Sequence, residues 1–585
     1  MNGFRGEIVI LTKDSAGQHE PDEKEINLTE IALNGLNHLR NNPRPGLDYE
    51  CRFAMDLMKY PVCPGEDRHD PISIADTDIR MDWEYGYMKE MTSSTTADKT
   101  AEGVRKRIIG YLRGDGGAWA SVGCMSALDG VFSLPWATGK ILYTLSEDCI
   151  RTPDESKLDL CGKIFRALKA RADWVDGRAF YAGGNGFYDE DGWAVSDATP
   201  YHPGMVLEPV LKYYEASKDP EALDFAIAFS EGEMANDQWN FGLLHDTSKF
   251  TDRQRDQALK TSSVAVWPVA PPDVDLGVAE DGSFLHHSHL RGHLGWGMAH
   301  LASITMNKRL TDWSLRLLDF YISRGTDYGW IPESMSHPFR SETCAVSDVI
   351  SMAVCMAKGG HTRYWDVAER YVRNYIRNAQ FFRTPQYDAL YMARHPGPEG
   401  ESGLKDAMVL EGGFQGGMGI NDRLQDSSHM DMMGCCVPEG MRAVHTVWTN
   451  TIGFSEGCVS VNMNFSVDSP YAVTKTMLPE RGGVSIEMRC DAGLRIRMPP
   501  WVKPGTERAI INSRKLEKCS WVDSYLEAGR VQSGDIIEIT YDLPVFSQKH
   551  AVKDVAGKPD RQLTIVWRGN TVKSVSPKGE HLPIY

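Results

Sequence analysis

Residues 458–467 read Cys458-Val459-Ser460-Val461-Asn462-Met463-Asn464-Phe465-Ser466-Val467, with an apolar residue at every second position from Val459. A period of two is the signature of a β-strand with one buried face. Similar runs follow at Gly483 to Arg489, Leu494 to Met498, Ala509 to Asn512, Asp535 to Leu543 and Gln562 to Trp567, each bounded by turn residues. Short strands at this spacing predict an antiparallel β-sandwich. Glu7 to Leu11 is also strand-like, so a strand near residues 5–12 is expected to join that sheet.

Upstream of this run the period changes. Apolar residues recur at three- and four-residue spacing over Leu28 to Leu39, Ala97 to Leu112, Lys157 to Trp174, Met205 to Ala216 and Pro220 to Met234. Ser288 to Ile304, Leu310 to Ser323, Glu342 to Met356 and Arg363 to Phe381 follow the same pattern. These are amphipathic helices, and the breaks between them are rich in Gly, Pro and Asp. A turn leading into an aromatic-rich helix recurs at Lys218-Asp219-Pro220, Asn307-Lys308-Arg309 and Gly360-His361-Thr362. The intervals are unequal, which excludes a strict solenoid. So many paired helices fit an (α/α) toroid better than a four-helix bundle. The expected division is 1–446 for a mainly α barrel and 447–585 for the sandwich.

Composition narrows the function. With 42% hydrophobic and 24% charged residues the chain is ordinary globular material. Its 63 basic and 80 acidic residues leave a formal charge of −17, which argues against nucleic acid or an anionic membrane as partner. Twelve cysteines in 585 residues are too few for a disulfide scaffold. Cys124, Cys149, Cys161 and Cys355 sit alone in apolar runs and read as small buried hydrophobes. No apolar segment opens the sequence, so a reduced, cytoplasmic protein is expected unless a signal peptide precedes it. The oligomeric state stays open.

Four groups of residues carry chemistry. Cys435-Cys436, in Met433-Gly434-Cys435-Cys436-Val437-Pro438, has three readings: a buried pair, a strained vicinal disulfide, or two thiolates on one metal. Ser341-Glu342-Thr343-Cys344 opens a helix, with Ser341 the expected N-cap. A carboxylate and a thiol there, joined by two more sulfurs, would make a four-coordinate zinc site. Glu333 lies beside Trp330 and Pro332, where desolvation would suit a general acid; Asp327 and Glu411 are further candidates. His286, His287, His289 and His293 cluster, and suit a polar pocket that binds sugar hydroxyls. His289 and His293, four residues apart, also admit a separate metal site.

Glu342-x-Cys344 followed by Cys435-Cys436-x-Pro438-x-x-x-Arg442 resembles the β-L-arabinofuranosidases of glycoside hydrolase family 127. Val206 to Tyr214, His287 to Leu301, Leu494 to Trp501 and Ser533-Gly534-Asp535 add to the resemblance, which spans roughly residues 200 to 545. It implies an (α/α)6 barrel followed by a β-sandwich. It implies a retaining exo-glycosidase acting on carbohydrate, with Zn2+ held by Glu342, Cys344, Cys435 and Cys436. Cys435 would be the nucleophile and His287 a substrate ligand. The family acid, by offset, falls on Thr326; a shorter loop brings Glu333 into register, with Asp327 in reserve. Met205 stands where the family has a histidine, and His202 is expected to compensate as a substrate ligand. The family's Pro-Pro-Asn after the paired cysteines is Val437-Pro438-Glu439. The rivals are an (α/α) barrel epimerase or uronyl hydrolase without metal, and a non-catalytic carbohydrate-binding protein.

Overall fold

The computed structural model describes residues 4–11, 25–63, 69, 76–121, 131–133, 135–181, 204–236, 278, 281–284, 287–516, 519–554 and 557–585. Its helices form two concentric rings. The inner ring is α2 (Asp78–Thr92), α4 (Pro135–Arg151), α6 (Gly204–Ser217), α8 (Ser288–Thr305), α10 (Thr343–Lys358) and α14 (Cys436–Thr451). Each inner helix packs on the next, and α14 closes the circle on α2. Outside them stand α1 (Leu28–Asn41), α3 (Asp98–Ile109), α5 (Glu155–Arg171), α7 (Pro220–Asn236), α9 (Lys308–Arg324) and α11 (Tyr364–Tyr371). Helix α11 runs on through a π segment, Val372–Ile376. Two short helices, α12 (Pro385–Arg394) and α13 (Pro398–Val409), are inserted before α14. They cover a satellite core that includes Met55, Leu57, Tyr387, Met430 and Met432.

The rings differ in how the sequence buries them. Outer helices such as α9 carry one apolar stripe (Leu310, Trp313, Leu317, Leu318, Tyr321) and a polar outer face. Inner helices are buried nearly all round: in α10 every residue from Thr343 to Val354 is buried. Close approach in the inner ring needs small residues. A Cβ on Gly139 of α4 would lie 1.9 Å from the Met205 carbonyl oxygen of α6, so only glycine fits there.

Helix α14 ends at Thr451 and strands begin at Ile452. A six-stranded sheet has the order 514–515, 508–511, 536–541, 482–488, 472–476, 467–468. A five-stranded sheet has the order 520–522, 525–531, 492–497, 458–461, 452–455. Alternate residues (Val459, Val461, Ile486, Leu494, Ile496, Ile537, Ile539) point into one core, giving the sandwich. The pairing is antiparallel except for Gly493–Ile496 beside Cys458–Val461, which run parallel. A separate four-stranded sheet contains Glu7–Ile10, Val545–Val552, Arg561–Arg568 and Thr571–Ser576. Its N-terminal strand pairs Glu7 with Lys549 and Ile10 with Phe546.

A charged cluster joins α6 to α8 at the C-terminal end of the ring. His300 lies 3.0 Å from both Glu208 oxygens and 3.1 Å from Glu215 Oε1. Lys212 bridges Glu147 and Glu215, 3.0 Å from each. Burial alone would lower the His300 pKa, but Glu208 and Glu215 override it and raise it to about 9. A raised folded pKa contributes stability that is complete below the unfolded value near 6.5 and is lost as pH rises through about 9. Denaturant unfolding at pH 6 and pH 10 is expected to show wild type losing on the order of 3 kcal/mol more than His300→Gln. Equal pH dependence of the two proteins would contradict the clamp.

Candidate active site

The N-terminal ends of the inner helices meet at the other end of the barrel. Cys344 sits in the first turn of α10 and Cys436 opens α14, with Cys435 at its N-cap. Cys344 Sγ lies 3.1 Å from Cys436 Sγ, and Cys435 Sγ lies 3.7 Å from Cys436 Sγ. All three sulfurs fall within 4.8 Å of one another. Helix N-termini favour negative charge, so both helices support thiolates. Hydrogen bonds from Cys344 and Cys436 hold the Cys435 thiol well below its ordinary range; Arg80 adds to this against its burial. Burial pushes Cys344 up. Cys344 and Cys436 are fully buried, whereas Cys435 is partly exposed.

Backbone contacts fix the approach. The Thr343 N–H donates to Gly416 O, and the Gly416 N–H donates to Asp431 O, tying the α10 start to the strand before Cys435. The Gly434 N–H donates to Phe53 O, and a Cβ at Gly434 would meet Thr77 and the Arg52 carbonyl inside 3 Å. Glu342, not Ser341, is the N-cap of α10. Ser341 Oγ instead bonds the Tyr375 hydroxyl and the Met418 backbone. This leaves the Glu342 carboxylate free of capping. One oxygen takes His287 Nε2 at 3.2 Å; the other, Oε2, is buried with no partner.

Three extended segments lie side by side here. Ser288 N–H donates to Glu333 O, Glu333 N–H to Arg340 O, and Glu342 N–H to Ile331 O. They bring His287, Glu333 and Glu342 together. Burial would lower the His287 pKa, but Glu342 raises it to about 9, with Glu333 and Cys435 adding to the effect. Glu333 is held by both arms of Arg340: Nη2 donates to Oε1 at 2.7 Å and Nε donates to Oε2. Arg340 Nη1 reaches Asp431 at 2.9 Å and Gln425 at 3.0 Å.

Asp327 is placed differently. Its oxygens accept from the Arg5 backbone and side chain and from Gln548, so it ties the segment after α9 to the N-terminal segment and to the four-stranded sheet. Burial would raise its pKa, but Arg5 and Arg370 hold it below the ordinary range. Glu411 accepts from the Arg383 backbone, beside the start of α12. His202 and His286 lie outside the described residues.

Beneath the thiols runs a buried ion network the sequence did not reveal. Arg80 donates to Asp76 and Glu439, both at 2.8 Å. Arg442 donates to Glu439, to Asp348 at 2.6 Å and to Ser351 at 2.7 Å. His289 Nδ1 lies 2.7 Å from Asp348, and its Nε2 lies 3.2 Å from Arg80. Glu439 thus bridges two arginines. Asp76 with Arg80 and Glu439 with Arg442 are local pairs, four and three residues apart; helix packing supplies the links between them, Arg80 to Glu439 and Arg442 to Asp348.

Two residue groups fit a metal by distance. Three sulfurs match the soft donors of a zinc site, and sulfurs sharing a tetrahedral ion at Zn–S of about 2.3 Å stand roughly 3.8 Å apart. Glu342, two residues before Cys344, carries a buried oxygen without a partner but lies outside the group of mutually close ligand atoms. His289, His293 and Asp348 also cluster within 4.8 Å, but guanidinium groups already bond His289 and Asp348. A further cation there would face Arg80 and Arg442.

No protein-family model matches the chain, and no curated protein matches it in sequence. Solved structures do. The GH127 β-L-arabinofuranosidase Ara127N from Geobacillus stearothermophilus T6 aligns with a TM-score of 0.59 over 93% of this chain and 83% of its own, at 14% identity. A second GH127 β-arabinofuranosidase gives 0.57 over 93% and 81%, at 15% identity. A structure described as a glycoside hydrolase gives 0.56 over 85% and 77%, at 13% identity. The chain has the GH127 fold. Within that fold, the Glu-x-Cys and Cys-Cys motifs of this sequence occupy the N-terminal ends of adjacent inner helices, and His287 and Glu333 stand next to them.

In metal-free protein at pH 7, limiting iodoacetamide is expected to modify Cys435 before Cys344 or Cys436, read by peptide mass mapping. Added zinc is expected to slow that reaction at least tenfold. Earlier labelling of Cys436 would contradict this account of the three thiols.

Proposed function

We propose that the chain is a retaining exo-glycoside hydrolase that removes a terminal β-L-arabinofuranose or a similar sugar from a carbohydrate substrate. The observation that carries the reading is the convergence of Cys344, Cys435, Cys436 and Glu342 beside His287 and Glu333 in a barrel of GH127 fold. Glu342, Cys344, Cys435 and Cys436 would hold Zn2+, which keeps bound sulfurs ionised at neutral pH. Cys435 is the partly exposed sulfur and so the nucleophile.

In the first step the Cys435 thiolate forms a bond to the anomeric carbon as the glycosidic C–O bond breaks. Glu333 gives its proton to the departing oxygen. In the second step Glu333 takes a proton from water, which attacks the anomeric carbon and returns the electron pair to Cys435 sulfur. Glu333 must carry a proton at the start, and its ion pair with Arg340 opposes that. Arg340 already reaches Asp431 and Gln425, so releasing Glu333 leaves its charge compensated. His287 donates to sugar hydroxyls. His202 serves as the second substrate ligand, and a need to keep three thiols reduced favours a reducing compartment such as the cytoplasm.

The bidentate hold of Arg340 on Glu333 favours one rival, a carbohydrate-binding protein that lacks a free acid. Turnover of an aryl β-L-arabinofuranoside separates them. Cys435→Ser is expected to lower kcat at least 10³-fold while the protein still melts cooperatively, and Glu333→Gln to lower it about 10²- to 10⁴-fold. A chelator is expected to abolish turnover and zinc to restore it. Normal turnover by Cys435→Ser would refute the thiolate mechanism. Full activity in zinc-free protein would favour a carboxylate-only epimerase or hydrolase.

A further inference from the structure

The barrel interior is layered along its axis. At the N-terminal ends of the inner helices lie the thiols, with Arg80 and His289 beneath them. One to two turns deeper, Arg442 sits over the Trp296 ring at 4.2 Å, Tyr143 packs edge-on against Trp296, and the Tyr87 and Tyr143 hydroxyls lie 2.7 Å apart. These four side chains come from α14, α8, α4 and α2 and plug the barrel. Below the plug the interior opens again. A cavity of about 340 Å³ is lined by residues of all six inner helices, with Tyr87, Tyr143 and Trp296 as its floor. Counting along α10 or α14, about ten residues at 1.5 Å rise separate it from the thiols, roughly 15 Å.

The lining of this cavity is charged but balanced. Glu90, Glu147, Glu208 and Glu215 face Arg151, Lys212, Lys358 and the protonated His300. Glu147 takes Lys212 and Arg151, Glu215 takes Lys212 and His300, Glu208 takes His300, and Glu90 takes His445. The charges therefore hold one another in place and leave no net field to draw an ion. Glu90 and Glu215 are 32% and 33% exposed, so after pairing they keep acceptors open to the cavity. Ser303, Thr446 and Asn450 add neutral polar groups. Fixed acceptors beside neutral hydroxyl and amide groups suit a ligand with many hydroxyls. The volume lies at the small end of the roughly 300–1,000 Å³ range of ligand sites, which admits one or two sugar rings and not a polymer.

We infer that this cavity is a second binding site, for a neutral mono- or disaccharide, at the end of the barrel opposite the thiols. It is independent of hydrolysis: it stands or falls on binding. Arg442 lies between the two ends, because it stacks on the Trp296 floor and also bonds Asp348 and Glu439 beneath the thiols.

The test uses zinc-loaded full-length protein carrying Glu333→Gln, so that turnover is suppressed while the thiols stay in place. L-arabinose, D-galactose, D-mannose, D-xylose, cellobiose and lactose serve as probes, with D-glucuronate and D-glucosamine as charged controls, by saturation-transfer NMR and calorimetry. At least one neutral sugar is expected to bind more tightly than both charged controls. Thr449→Trp, at an exposed position lining the cavity, is expected to weaken that binding at least tenfold with the melting temperature unchanged. Ser303→Tyr serves as the second cavity-filling variant should Thr449→Trp unfold. Binding by no neutral sugar, or binding that both cavity-filling variants leave intact, would overturn the inference.

Discussion

Two buried sulfurs, Cys344 and Cys436, stand 3.1 Å apart at the starts of adjacent inner helices. Buried thiols this close repel one another once ionised, and burial makes each harder to ionise. The surrounding structure answers that constraint. The two cysteine segments start adjacent helices, whose N-termini favour negative charge, and Arg80 helps hold the Cys435 thiol below its ordinary range. The glycine at 434 and the backbone links from Thr343 through Gly416 to Asp431 hold the two cysteine segments at this distance. A metal ion among the three sulfurs would neutralise them together.

The ion network below the thiols shows how the barrel tolerates charge in its core. Arg80, Glu439, Arg442, Asp348 and His289 form one chain across α2, α14, α10 and α8, each buried. Removing one partner of such a network typically costs about 3–5 kcal/mol, because the other charge stays buried and unpaired. The network therefore fixes the rotation of four inner helices and so the direction in which their first turns present Cys344, Cys436 and His289. Burial raises the Asp348 pKa even against Arg442.

The sequence made some parts of this plain and hid others. The outer helices were legible because each buries one face, and the strand of residues 458–461 because Val459 and Val461 continue a period of two. Helix α2 escaped notice because it carries Asp78, Arg80, Asp82 and Glu84 into the core. Strand Val545–Val552 escaped because Gln548 and His550, both polar, occupy inward positions; they bond Asp327 and the Gly325 carbonyl. The cysteines and Glu342 were legible from motif spacing. Arg80 and Glu439 were not, since nothing in a sequence says which distant charge a buried residue will meet. The same holds for Arg340, whose grip on Glu333 depends on three segments lying side by side. Asp327 was the reserve to Glu333 in sequence, and the structure places its carboxylate on Arg5 and Gln548.

The central claim is that Cys435 sulfur, set among two other thiols, attacks the sugar. The most direct measurement is acid quenching during turnover of an activated aryl β-L-arabinofuranoside, followed by peptide mass mapping. The account predicts one pentosyl group on the peptide containing Cys435, located on that sulfur and absent from Cys435→Ser. A pentosyl group on Glu333, or steady turnover with no adduct on Cys435 under conditions where hydrolysis of the intermediate limits the rate, would contradict it.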